Sequence, residues 1–152
     1  MASDSPTPRP AALITGAGRL DSIGAGIVQR LAADGWNLAL SFWRPRDAPA
    51  TEAGDPERLA ALARERGATA VLLPGDFTDP TEPDRLVAAA GEALGQLSGL
   101  VLSHAESIDS GILDTTVESF DRHMIVNARA SWQLIAAFAR QVDRWRRQPG
   151  GK

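Results

Sequence analysis

Short apolar runs alternate with amphipathic stretches along this chain, and the alternation predicts its elements. Apolar runs at 11–15, 37–43, 70–73 and 99–103 have the length of buried strands. Between them lie helical patterns. The first, 23–33, carries Ile23, Ile27 and Leu31 on one stripe with Val28 and Ala32 beside it, and Gly35 ends it. A second is expected to be capped by Asp55, with Pro56 at its first position and Gly67 just past its end. A third covers 81–94, where Thr81 and Asp84 are spaced like a capping box. A long final helix is predicted from about 118 to about 147, with Thr116 as its cap. Its broad face of Phe120, Met124, Ala128, Ile135, Phe138, Val142 and Trp145, flanked by Ile125 and Trp132, is expected to be core. Asn127 interrupts that face, and a buried amide there needs partners, as a structural linker or as part of a site.

Near-continuous apolar strands alternating with helices argue for a parallel sheet covered on both faces. The expectation is an α/β, Rossmann-like, doubly wound fold. Strands one to three with their helices make a βαβαβ half, and strand four with the last helix begins a second. Residues 1–10 are polar with three prolines and read as a tail, leaving 11–152 as one domain. No repeat or low-complexity block interrupts it.

Composition narrows the function classes. With 43% hydrophobic and 23% charged residues, the 152-residue chain is an ordinary soluble globular type. A net charge of −3 gives no electrostatic footprint for nucleic acid, and Arg140, Arg144, Arg146 and Arg147 read as a solvated helix end. There is no cysteine, which removes disulfides and thiolate chemistry and suits a cytoplasmic protein. No segment has the apolar core of a signal peptide or of a membrane span, so no membrane partner is expected.

The candidate chemistry begins in the segment from Thr15 through Gly16, Gly18, Arg19, Ser22, Ile23 and Gly24. Strand, glycine-rich turn and helix in that order suit a dinucleotide phosphate loop. Gly16, Gly18 and Gly24 are candidate close-approach positions, with Asp21 or Ser22 as the helix cap. After the second strand stand Arg44 and Arg46, where NAD-selective proteins place an acid, so a 2′-phosphate and NADP are favoured. Arg19 could reach the same phosphate; the alternative is a pair of solvated loop arginines. After the third strand, Asp76 beside Phe77 could accept an adenine amino group or cap the turn before Pro80. Ser103 and His104 are adjacent in an extended segment, point to opposite faces and do not form a nucleophile–base dyad. With His123 as the only other histidine, no metal site is expected.

Together these residues resemble the short-chain dehydrogenase/reductase family over nearly the whole chain, from about Ala11 to Gly151. The segment Thr15–Gly24 resembles the family's TGxxxGxG loop, two residues longer and with Ser22 where the middle glycine usually stands. Asp76 matches the adenine-binding aspartate. Ser103, His104, Ala105 and Glu106 occupy the place of an Asn-Asn-Ala-Gly turn, departing from it at three positions. Asn127 matches the helix asparagine of the Asn-Ser-Tyr-Lys tetrad. The branch most similar is that of the 3-oxoacyl-carrier-protein reductases, while the spacing from Gly16 to Ser22 and Ile23 also resembles divergent enoyl reductases.

The resemblance implies NADP-dependent hydride transfer on a small carbonyl or alcohol substrate, with a tyrosine as proton donor, a lysine beside it and a serine orienting the carbonyl. It also implies a homo-oligomer packed through the 118–147 helix. This sequence contains no tyrosine, and its single lysine is Lys152. The expectation is therefore a cofactor-binding portion with little reductase activity of its own, ending early. Two alternatives remain: a non-catalytic nucleotide-binding or interaction module, and a methyltransferase sharing the strand–glycine turn–helix opening.

Overall fold

The computed structural model describes residues 8–44 and 54–147. The order is β1 (Ala11–Thr15), α1 (Ile23–Ala33), β2 (Asn37–Phe42), α2 (Asp55–Glu65), β3 (Ala70–Pro74), α3 (Glu82–Leu94) and β4 (Gly99–Leu102). There follow α4 (Val117–His123), a π-helical segment (Met124–Arg129) and α5 (Ala130–Arg146). The strands are parallel in the order β3-β2-β1-β4, with Leu13 opposite Ala39 of β2 and Leu100 of β4. This is the expected Rossmann-like α/β architecture.

Alternation along β1 divides the core in two, because successive strand side chains point to opposite faces. Ala12 and Ile14 join Leu38 and Leu40 against Val28 and Ala32 of α1 and Leu59 and Ala63 of α2. Ala11 and Leu13 join Ala39 against Leu86 and Ala90 of α3 and Leu134 and Ala137 of α5. The helix after β1 thus covers one face and the helix after β4 the other. Their strands separate at a switch point, where this architecture opens a crevice beyond the carboxyl ends.

Several caps follow the sequence. Ser22 Oγ accepts from Ala25 N at 3.1 Å and Thr116 Oγ1 from Ser119 N at 3.1 Å. Gly35 and Gly67 close their helices in the left-handed region, which a Cβ would disfavour. Two expected caps are corrected. Gly54, not Asp55, precedes α2, and the Asp55 carboxylate is turned to other work. Thr81 makes no side-chain cap; Asp79 Oδ1 instead accepts from Thr81 N and Oγ1 at 2.8 and 2.7 Å.

The last helix departs most. A single helix was expected, and α4 and α5 are joined instead by the wider π turn, which changes the face presented after Asn127. The sheet-facing stripe is Val126, Ala130, Leu134 and Ala137, with Ile125 and Phe138 beside it. Phe120, Met124, Trp132 and Ile135, expected as core, are each at least half exposed, and Ala128 is exposed too. Of the predicted tail, residues 1–7 lie outside the described residues, while Pro10 O accepts from Asn37 N at 2.8 Å.

Candidate functional site

The loop leaving β1 is built by hydrogen bonds that its own sequence supplies. Ser22 Oγ donates to Arg19 O at 2.7 Å while capping α1, folding the longer turn back on itself. Ala17 N donates to Ser41 O at 3.0 Å, and Leu20 N to Asp55 Oδ2 at 3.1 Å. Asp55, only 8% exposed, therefore holds this loop from α2. No local motif marked that role.

The glycines divide the labour. Gly16 lies at φ 75°, and a Cβ there would collide with the Ser103 backbone. A Cβ on Gly24 would stand 2.6 Å from Gly16 O. At these two positions protein backbone approaches protein backbone, and Gly16 also lines the cleft. Gly18 lines the open cleft.

That cleft has a volume of about 550 Å³, in the range of small-molecule and cofactor sites. Gly16, Gly18, Arg19 and Ser22 form one wall, and Asp76, Phe77, Ser103, His104 and Ala105 contribute the other. Trp43, Arg44, Glu106 and Arg122 complete the lips. Among the expected site residues, Thr15 is buried beneath the cleft, Gly24 is packed behind the loop, and Ile23 points away at 80% exposure. Arg46 lies outside the described residues.

Thr15 acts through His104. The imidazole Nε2 donates to Val126 O at 3.1 Å, since a carbonyl can only accept. Nδ1 of the neutral ring is then the acceptor, and the Thr15 hydroxyl donates to it at 2.6 Å. Thr15 Oγ1 in turn accepts from Ser103 N at 3.2 Å. The chain ties β1, the β4 loop and the π segment together, with the His104 ring 4.3 Å from that of Phe77. Burial pushes the His104 pKa below its ordinary value, against a smaller opposing effect of the Val126 hydrogen bond. Ser103 joins this chain through its backbone N–H.

Asn127 is spent on the same loop: its Oδ1 accepts from Glu106 N at 2.8 Å and its Nδ2 donates to Glu106 O at 3.0 Å. His123 adds a third brace, with Nδ1 donating to Ser119 O and Nε2 accepting from Ile108 N. Across the cleft, Asp76 Oδ1 accepts from Thr78 N and Oγ1, fixing the turn after β3. Arg129 of the π segment donates to Phe77 O and Thr78 O at 3.1 and 2.9 Å.

The cations at the lips are paired. Arg44 Nη2 meets Glu57 Oε1 at 2.7 Å, with its guanidinium 5.2 Å from the Phe42 ring centroid. Hydrogen bonding from Arg44 holds the Glu57 carboxyl below its ordinary value. Arg19 lies 3.7 Å from Asp21. Arg122 Nε lies 3.0 Å from Glu106 Oε2, its guanidinium 5.5 Å from the Trp43 ring centroid. Among the described residues no group of three or more metal-ligating side chains converges, and no helix is long and apolar enough to cross a membrane.

The family model described as enoyl-(acyl carrier protein) reductase matches residues 16–150. A short-chain dehydrogenase/reductase of Armillaria gallica is 36% identical over 142 residues, covering 93% of this chain and 51% of that protein. Another, from Hericium erinaceus, is 36% identical over 131 residues, covering 86% and 50%. A short-chain dehydrogenase from Burkholderia cenocepacia, solved in complex with NADP, superposes with a TM-score of 0.74 at 31% identity, over 86% of this chain and 50% of that one. A blue fluorescent protein from a metagenomic library, solved with NADPH, gives 0.76 at 28% identity, again over 86% and 50%. The chain spans about half the length of the curated relatives it matches. Sequence and fold agree along nearly all of the chain, which belongs to the short-chain dehydrogenase/reductase family.

Proposed function

We propose that these residues form the dinucleotide-binding part of an NADP-dependent oxidoreductase that interconverts a small carbonyl compound and its alcohol. The observation that carries the reading is the cleft at the switch point between β1 and β4, walled by the glycine loop and the turns after β3 and β4. The residues present fit a dinucleotide. Gly18 lines the cleft from the loop side, the start of the eleven-residue α1 supplies amide donors, and Asp76 beside Phe77 suits an adenine. Ser103, His104 and Ala105 then border the nicotinamide end. When bound, NADPH supplies the hydride.

Preference for NADP rests on Arg44 at the end of β2, with Arg19 in the loop. A 2′-phosphate at Arg44 must compete with Glu57, which holds that guanidinium in the unliganded chain. Asn127 serves as a positioning residue, setting the backbone of Glu106 beside the cleft. The proton-donating tyrosine of the family has no counterpart among these 152 residues. The 152-residue polypeptide is accordingly a cytoplasmic binder of NADPH with little turnover of ketones by itself.

Calorimetric titration with NADPH and NADH tests this. Exchanging Arg44 and Arg46 together for alanine should weaken NADPH by about ten- to a hundredfold and NADH far less, the usual range for charge-assisted hydrogen bonds. Equal losses for the two nucleotides defeat the 2′-phosphate assignment, and ketone turnover by the homogeneous 152-residue protein defeats the inactivity.

A further inference from the structure

Arg122 is the cleft residue that neither the glycine loop nor the β2 arginines account for. It rises from α4, which leads into the π segment, and lines the cleft. Its guanidinium meets Glu106, just past β4, at 3.0 Å and faces the ring of Trp43, just past β2, at 5.5 Å. β2 and β4 are the two strands that flank β1. A cation linking their ends therefore spans the carboxyl end of β1, where the glycine loop begins. The ion pair approaches Glu106 through Nε, and the four N–H groups of Nη1 and Nη2 make no hydrogen bond to another described residue.

We propose that Arg122 is a cofactor-positioning residue that contacts the diphosphate bridge of the dinucleotide. The proposal rests on the dinucleotide reading of the cleft and adds an arginine from the opposite wall. In the unliganded chain Arg122 straps Trp43 to Glu106 across the mouth. On binding, the planar fork turns its unused N–H groups to the phosphates, which the amides of the glycine loop and of the α1 start approach from the other side. Glu106 is the resident anion that the diphosphate displaces. Its backbone stays clamped by Asn127, so the loop holds its course while the side-chain pair opens. Trp43 keeps the guanidinium over the cleft, since an aromatic face holds a cation without consuming its hydrogen bonds.

The diphosphate is common to NADPH and NADH, and this separates Arg122 from Arg44. Dissociation constants of both nucleotides, measured on the full chain, should rise about ten- to a hundredfold and by equal factors in Arg122→Ala. Glu106→Gln keeps the shape of the loop, removes the competing charge and should tighten both several-fold. Thermal melting of each variant reports whether it folds. If Arg122→Ala does not fold, Glu106→Gln decides, and unchanged or weakened binding there overturns the proposal. Unchanged constants in a folded Arg122→Ala overturn it too, as does a loss confined to NADPH. Failure of the parent chain to bind either nucleotide removes the dinucleotide reading itself. Variants that leave a binding parent unaffected remove only the role of Arg122.

Discussion

The neutral His104 ring engages both nitrogens, with Thr15 donating to Nδ1 and Nε2 donating to Val126. A proton on Nδ1 makes it a donor, so the Thr15 hydroxyl must turn to accept from it and send its own proton to Val101 O at the longer 3.3 Å, and the charge sits in a partly buried ring in the same cleft as Asp76, Glu106 and Arg122. The folded-state pKa therefore lies below the unfolded value near 6.5. As pH falls through about 6.5 the unfolded chain takes up the proton first, so stability declines from there and the loss is complete below the folded pKa. Urea unfolding at about pH 7.5 and about pH 5.5 should show this slope, and His104→Gln, which carries no titrating group, should flatten it. An identical slope in the variant assigns the pH dependence elsewhere. Ser22 and Asp76 were legible in the sequence because their hydrogen bonds are made within three residues of chain, and the glycines because they cluster in one turn, although Gly16 packs against distant Ser103. Asp55, Arg122 and Arg129 were not, because each reaches the site from an element distant in sequence and belongs to no local pattern.

The elements themselves were legible wherever one periodicity held from end to end. All four strands and the first three helices begin and end within about two residues of their apolar patterns, the ordinary scatter of such boundaries. The last helix misled because it carries two apolar stripes and a π turn. The stripe with larger side chains carries the stronger apolar signal, while smaller Ala130 and Ala137 pack inward with Val126 and Leu134. Asn127 sits within that turn and gives it a purpose, since its two hydrogen bonds fasten the loop after β4 to the helix. Asn127→Ala should lower unfolding free energy by about 1 kcal/mol, the net worth of partly solvated hydrogen bonds, measured by urea titration. It should also weaken NADPH, because the loop that borders the cleft from Ser103 to Glu106 would lose its clamp to the helix. Full stability together with full affinity would show that the pair of bonds is incidental to both.

At the scale of the whole molecule, two features lack a covering layer among the described residues. β4 ends the sheet with one side unpaired, and Phe120, Met124, Trp132 and Ile135 stand out from the α4–α5 face, Trp132 at 67% exposure. Scattered exposed apolar residues are common, but these four belong to one continuous helical segment that the apolar pattern marks for burial. The relatives are about twice as long, so additional chain is one source of cover, and a second copy of this surface is another. For a second copy, an isologous contact between α4–α5 faces is the arrangement that buries the same patch on both copies. Sedimentation equilibrium should accordingly show concentration-dependent dimers. Exchanging Trp132→Lys with Ile135→Glu should return the chain to monomers, because the two charges would be desolvated at the contact. Both substitutions fall on exposed positions away from Val126, Ala130 and Leu134, so thermal stability at low protein concentration should change little. Dimers that persist in the double variant would move the contact to the β4 edge, where unpaired backbone groups offer the other route to association.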